Sequence, residues 1–374
     1  LMLSATFTGI IITSFESALN ACVILTSFIP MLSGTGGNSG SQSSVAVIRA
    51  LSLLEMLVKA GCPLVFKGGT ALMLILGKSA HRLSIDIDLI CPPGTNIEDY
   101  LKSFADFGFI NLELVERKQR DDADIPKSHS KFFYQIAYRN DTDAQSYILL
   151  DVLYEDIHYF RTQQIAINCP FIRLEGKPLM VTVPSAEDIL GDKLTAFAPN
   201  TTGIPYYKNG RSCSMEIAKQ LYDVGRLFEN VSDLQITKEA FRKIAVVELS
   251  YRSFGTDIGQ VFNDIRQTAL CISTRGKAGE GDFDLIQDGI IRVKSFMYKQ
   301  RYLIDHAIID AARAAYLATL IEKGINEIES YSNNPADIKD MVIRPSLPNK
   351  LNKLRSNLPE AYYYWAKTSE LLEA

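Results

Sequence analysis

Residues 64–90 read LVFKGGTALMLILGKSAHRLSIDIDLI, and the spacing within this stretch decides the fold. A short apolar strand, LVF, runs into two glycines and then into an apolar run at helical spacing. The segment RLSIDIDLI, Arg82 to Ile90, follows as a strand. Its alternation puts Asp86 and Asp88 on one face, with Ile85, Ile87 and Leu89 on the other, where a core can hold them. Hard divalent cations take oxygen ligands, and two carboxylates on one strand face supply them. Phosphoryl and nucleotidyl transfer need such cations to neutralise phosphate oxygens and orient an attacking hydroxyl. Gly68 and Gly69 let backbone amides approach phosphate closely, and Thr70 adds a hydroxyl at a helix N-terminus. DxD alone is common by chance, and a plain strand-to-helix turn is the competing reading of the glycine segment.

Downstream, a helix is expected over Asn96 to Phe107. Strands are expected over Ile110–Arg117, Lys131–Tyr138 and Tyr147–Tyr154, with a polar connection from Arg120 to His129. The strand YILLDVLY is apolar apart from Asp151, and a carboxylate beside a core is costly without a partner or cation. Asp151 is therefore the third candidate of the acidic cluster, placed to ligate metal and to help deprotonate an acceptor. VTVPSAEDILGDKLTAFA enters a helix at Ser185, with Asp188 completing a capping box. A further helix, MEIAKQLYDVGRLFEN, follows a loop, and the chain beyond Val231 is mostly helical around a glycine-rich break at RGKAGEGD. Tyr362 to Trp365 read as core packing rather than a base-stacking platform. His129 and His158 read as polar surface residues, with approach to a substrate as the alternative, and His81 carries no essential role because magnesium needs no imidazole.

The 374 residues suffice for two domains, and 47% hydrophobic with 22% charged residues is ordinary for a folded protein. A net charge of −4 gives no molecule-wide signature of nucleic-acid binding. The six cysteines show no metal-ligand spacing, as expected of reduced thiols in the cytoplasm. The apolar run from Ser17 to Ser33 falls short of the roughly 20 residues that span a bilayer. It also contains Pro30 and lacks a basic leader. GTGGNSGSQSS lacks the lysine of a phosphate loop.

Four motifs together resemble the AbiEii/AbiGii-type nucleotidyltransferases of the polymerase-beta-like superfamily, toxins of abortive-infection and toxin–antitoxin systems. They are GGTAL at 68–72, RLSIDID at 82–88, DILGDKLTA at 188–196 and KQLYDVGRL at 219–227. The resemblance implies an α+β fold, a mixed sheet flanked by helices and followed by a helical C-terminal domain. It also implies magnesium on Asp86, Asp88 and Asp151, with an NTP as substrate. Gly68, Gly69 and Thr70 would cradle the triphosphate, with Arg82 and Ser84 beside it. Lys193 would offer a positive charge to the phosphates, and Asp223 would pair with Lys193 or act on the acceptor. The acceptor implied is the tRNA 3′ end, and the partner a separately encoded antitoxin. A protein or small-molecule hydroxyl, or a non-catalytic nucleotide- or RNA-binding module, stand as alternatives.

Phe15 to Ser52 separately resembles a fragment of the membrane region of MgtE-type magnesium transporters. The expected division is therefore 1–52 as a transporter-like segment, 53–200 as the nucleotidyltransferase domain and 201–374 as the helical domain. A chain from about Leu53 onward is expected to fold in solution without membrane association.

Overall fold

The computed structural model describes residues 39–115, 127–134, 146–169, 176–231, 234–252, 257–298 and 301–374. The apolar run at 17–33 lies outside them, as do parts of the polar connection expected at 120–129. No helix among the described residues is long and apolar enough to cross a membrane.

The first element is α1, Ser39–Lys59. Its apolar positions repeat at helical spacing, and Val47, Leu51, Leu54 and Leu57 are all buried in the core beneath the sheet. The division expected at 52/53 therefore falls inside a continuous helix. Ser52 does not end it, because its hydroxyl merely donates back to the Ile48 carbonyl at 2.9 Å. A chain starting at Leu53 would lose the burial of Val47 and Leu51, each worth roughly 1.5–3 kcal/mol. It should unfold at lower urea than a chain starting at Ser39, by roughly 3–6 kcal/mol in stability. Equal midpoints would show that these turns contribute nothing.

β1 (Val65–Lys67) leads directly into α2 (Gly68–Leu76), and β2 covers Ile87–Cys91. β3 (Asn111–Val115), β4 (Lys127–Tyr134) and β5 (Ser146–Tyr154) complete a five-stranded sheet of order β1-β2-β5-β4-β3. β2 and β5 are parallel and the other pairs antiparallel, so the sheet is mixed. The fold is α+β, as expected.

Three local expectations are corrected. The second strand begins at Ile87, not Arg82, because the preceding residues are tied elsewhere: Leu83 N donates to Phe296 O at 2.8 Å, and Arg82 bridges Met297. Two 3₁₀ turns, Ile97–Tyr100 and Phe104–Phe107, replace the helix expected over 96–107. Their bonds span three residues, as from Leu101 N to Glu98 O, and Gly108 ends the second in the left-handed region. β4 begins four residues earlier than expected, which places His129 inside a strand.

An antiparallel ribbon, β6 (Thr162–Ala166) with β7 (Met180–Pro184), leads into α3 (Ala186–Ala196). The Ser185–Asp188 cap forms as expected, and buried Asp188 also accepts from Phe160 N and Arg161 N, pinning the ribbon to the helix. Beyond a short hairpin come α4 (Ser214–Phe228), α5 (Gln235–Tyr251), α6 (Ile258–Ser273), α7 (Phe283–Val293), α8 (Ile304–Lys323) and α9 (Pro359–Glu373). Alanines of α8, among them Ala311, Ala312 and Ala315, are fully buried and let neighbouring helices close in. Tyr362 to Trp365 are buried, with Trp365 Nε1 donating to Ser273 Oγ at 3.0 Å, so these aromatics are core.

Two large apolar cores result among the described residues, with a small third cluster of Val65, Ile90 and Tyr159, and α2 lies between the two large ones. Leu72 faces the helical core, whereas Ala71, Met73 and Leu74 face the sheet core. Ile189, Leu190 and Leu194 of α3 belong to the helical core, so the change of core comes ahead of the division expected at 200/201. Side chains on α2, β2, α3 and α4 can thereby meet where the two cores adjoin.

Candidate functional site

Strand register sets a polar row across one face of the sheet. Lys67 lies opposite Asp88, Asp88 beside Asp151, and Asp151 opposite His129. Cross-strand partners point to the same face, so these four side chains are neighbours by construction. Asp88 is half-buried, and Asp86, one residue ahead of β2, stands at the exposed rim. Burial pushes the Asp88 carboxyl up to about 7, with Asp151 and Asp86 adding to the rise and Lys67 and Lys193 opposing it. Desolvation also raises Asp86, opposed mainly by Lys219 and reinforced by Asp151. The cations balancing this charge act at range, since neither Asp86 nor Asp88 is in an ion pair among the described residues.

Crowded carboxylates without a direct counter-ion are what a hard divalent cation relieves, and the donors here are all oxygen. Asp86 and Asp88 fit such an ion, with Asp151 adjacent. Asp151, however, is engaged by His129 Nδ1. Among the described residues no three acidic, histidine or cysteine side chains already converge as a ligand cage. His129 is only 8% exposed. The expectation of a polar surface role for it is overturned by the register of β4 against β5.

The glycine pair is fixed by close approach. A Cβ on Gly68 would lie 2.1 Å from Asp88 Oδ2, and its φ of +78° disfavours any side chain. A Cβ on Gly69 would lie 2.7 Å from Ser84 Oγ and 2.9 Å from Arg82 Nη2. Gly68→Ala should therefore displace Asp88 and cost on the order of 1–3 kcal/mol of stability. Thermal unfolding checks it, and an unchanged midpoint would show that Asp88 yields freely. Thr70 is fully buried, and its hydroxyl donates to the Asp86 carbonyl at 2.7 Å. That hydroxyl holds the DxD segment in place, so any contact from Thr70 to phosphate would come from its backbone amide.

The other half of the site joins the two cores. Arg82 grips Asp223 with both arms of its guanidinium, Nε at 3.0 Å and Nη2 at 2.7 Å. Lys193 Nζ, from α3, lies 3.2 Å from the same carboxylate and donates to Gln220 Oε1 at 3.0 Å. Burial alone would raise the Asp223 carboxyl, but Arg82 and Lys193 outweigh it and hold it below the usual carboxylate range. Asp223 is 2% exposed. Of the two roles expected for it, pairing with Lys193 is the one the contacts display, and Arg82 tethers the DxD segment to α4.

Sequence reasoning assigned no role to Lys67, although it adjoins the glycine pair. Its Nζ pairs with Asp192 at 3.5 Å, and Tyr159 OH donates to Asp192 at 2.9 Å. Burial works against its charge, but Asp192, Tyr159, Asp88 and Glu155 raise it well above the usual lysine value. Lys219 of the KQLYDVGRL motif reaches the same field. Burial and Arg82 lower it, with Glu216 and Asp86 opposing, and its ammonium sits 3.9 Å from the centre of the Phe296 ring. The site thus offers carboxylates flanked by three lysines and an arginine, at the N-terminus of α2.

Comparison with known proteins gives two kinds of match. The family model described as nucleotidyl transferase AbiEii toxin, type IV toxin–antitoxin system, matches residues 51–334. Among solved structures, JHP933 from Helicobacter pylori is 16% identical, with coverage of 76% of this chain and 90% of that one and a TM-score of 0.37. MenT4, a nucleotidyltransferase toxin from Mycobacterium tuberculosis, is 15% identical, with coverage of 76% and 84% and a TM-score of 0.37. The magnesium transporter MgtE of Thermus thermophilus is 43% identical over 56 residues, which is 15% of this chain and 12% of the transporter. The Bacillus subtilis transporter is 49% identical over 59 residues, 16% and 13% of the two chains. The match thus spans about an eighth of either transporter.

Proposed function

From the premise that this chain belongs to the AbiEii nucleotidyl transferase toxin family, we propose that it moves a nucleoside monophosphate from an NTP to the 3′ end of tRNA, using magnesium, in the cytoplasm. Nucleotidyl transfer in a toxin–antitoxin role, with an antitoxin as partner, is the family's property. The observation that supports the particular site is the cluster of Asp86, Asp88 and Asp151 beside the glycine pair, with Asp88 in the field of Asp151 and Asp86, and Asp86 in that of Asp151. The nucleotidyltransferase unit in this reading is the sheet with α1 and α2, closed by the helical unit that begins at α3.

Magnesium would be held by Asp86 and Asp88 with Asp151 beside them, and when bound it neutralises phosphate charge and orients the incoming hydroxyl. Gly68, Gly69 and the amide of Thr70 present backbone N–H groups at the start of α2 to the triphosphate. Arg82 and Ser84 line the same turn. Asp223 holds Lys193 and Arg82 in place, so that the lysine faces the departing pyrophosphate without losing its partner. His129 fixes the orientation of Asp151 and leaves its second oxygen for metal or for the acceptor hydroxyl.

Lys193→Ala should lower turnover roughly 10²-fold, the effect of losing one preorganised electrostatic contact, without abolishing metal binding. Unaltered turnover would remove Lys193 from the chemistry. The acceptor is tested by offering total tRNA with an intact 3′ terminus, and the same tRNA after periodate oxidation of that terminus, with each of four α-labelled NTPs. Label confined to the intact tRNA supports the 3′ end. Label on both points to an internal position, and label on neither moves the acceptor to a protein or small-molecule hydroxyl.

A further inference from the structure

The face of α4 that starts beside the acidic cluster continues to a second cavity. Lys219, Tyr222 and Arg226 follow at spacings of three and four residues, so they share one helical face. Lys219 lies in the field of Asp86, and Tyr222 lines the crevice with Gly69, Arg82 and Asp223. Tyr222 and Arg226 also line a separate cavity of about 200 Å³ between α4 and α8, with Arg301, Tyr302, His306 and Asp310 on its walls.

Two polar atoms on residues that line this cavity, the Tyr222 hydroxyl and Arg226 Nε, are buried without a hydrogen-bond partner among the described residues. Tyr222 is 5% exposed. A buried donor left unpaired costs about 1–3 kcal/mol, so such groups are ordinarily completed by water or ligand. The walls are aromatic. Tyr302 meets Tyr222 edge-on at 5.1 Å and stacks with His306 at 6.3 Å, and Arg226 lies 5.6 Å from the Tyr222 ring centre. Asp310 accepts from Tyr302 at 3.0 Å and receives Arg226 at 3.5 Å, so donors and acceptors alternate around the opening. Because the acidic residues offset the arginines, the cavity does not select for phosphate. It suits a flat heterocycle with polar edges.

We infer that this cavity receives the base of the incoming NTP, with Tyr222 and Arg226 reading its edge; the inference rests on the nucleotidyl-transfer reading above. Seven residues separate Lys219 from Arg226, a helical rise of about 10 Å. That is the scale over which a sugar and base extend from an α-phosphate held at Asp86 and Asp88.

The test is the affinity of ATP, GTP, CTP, UTP and inorganic tripolyphosphate for the wild-type protein and for Tyr222→Phe, measured by calorimetry. The substitution removes one oxygen and keeps the ring contacts. The preferred NTP should bind the variant roughly tenfold more weakly, the size of one lost hydrogen bond that forms only to ligand, with tripolyphosphate unchanged. Unchanged NTP affinity overturns the inference, as does an equal loss for tripolyphosphate. A rise confined to the KM for the RNA acceptor also overturns it, because the cavity would then serve the acceptor's base. Label transfer separates the two readings. If the variant loses NTP affinity but the wild type transfers no label, the base cavity stands and the transfer reading fails. If transfer is intact and the variant binds every NTP as the wild type does, the cavity fails alone.

Discussion

The double variant Asp86→Asn, Asp88→Asn is expected to lose nucleotidyl transfer by on the order of 10³-fold or more, the scale of removing preorganised groups that stabilise transition-state charge. Its fold should survive. Both carboxyls are raised by desolvation and by their neighbours, so in the cation-free protein their ionisation opposes folding. The sign for Asp88 follows from its value of about 7. Between the ordinary carboxylate range, about 4, and pH 7 the folded state holds a proton that the unfolded chain releases. Stability of the metal-free wild type should therefore fall as pH rises through that window, and asparagine at position 88 should flatten the slope. Urea midpoints at pH 5 and pH 8, measured in chelator, check this. A variant that unfolds more readily than wild type at pH 8 would mean that these aspartates support the fold.

Among single substitutions the largest loss of stability is expected from Asp223→Ala, about 3–5 kcal/mol, the cost of breaking a buried ion pair by removing one member. Three residues depend on this carboxylate directly or through one bond: Arg82, Lys193 and Gln220. Without it, two buried cations face each other, and the segment from Arg82 to Asp86 loses its tether to α4. Because the folded-state carboxyl is depressed, its contribution is present above the ordinary carboxylate range and is lost as pH falls through the depressed value. The variant should therefore be much less stable near neutral pH and close to wild type in strong acid. A loss below about 1 kcal/mol, the scale of an exposed pair, would mean that Arg82 and Lys193 find other partners readily.

What could be read from the chain alone was local. The glycine pair, the DxD spacing, the Ser185 cap and the helical run through Asp223 each lie within one or two turns or strands, and the α+β class was implied by the family that the four motifs resemble. His129 could not be recognised that way. Its meeting with Asp151 depends on the register of β4 against β5, and residues 135–145, which connect them, carry no short turn signal to fix that register. The expected division at 52/53 came from the resemblance to a transporter fragment, whereas the helical spacing of residues 47–59 was legible in the sequence and agrees with the burial of Val47 and Leu51. Lys67 had a signal, adjacency to Gly68, but a lysine at a strand end is usually solvated. Its partner Asp192 was hidden within the DILGDKLTA motif, whose Asp188 turned out to be a buried cap. Tyr222 gave no signal beside the more conspicuous Asp223.

The most direct measurement is transfer from one NTP labelled in parallel at the α- and at the γ-phosphate, with total tRNA and magnesium, using wild type and the Asp86→Asn, Asp88→Asn protein. Nucleotidyl transfer at this site requires α-label in the RNA, γ-label released as pyrophosphate, and neither product from the double variant. γ-Label in the acceptor would make the reaction a phosphoryl transfer, and α-label incorporated by the double variant would place the chemistry somewhere other than the DxD segment.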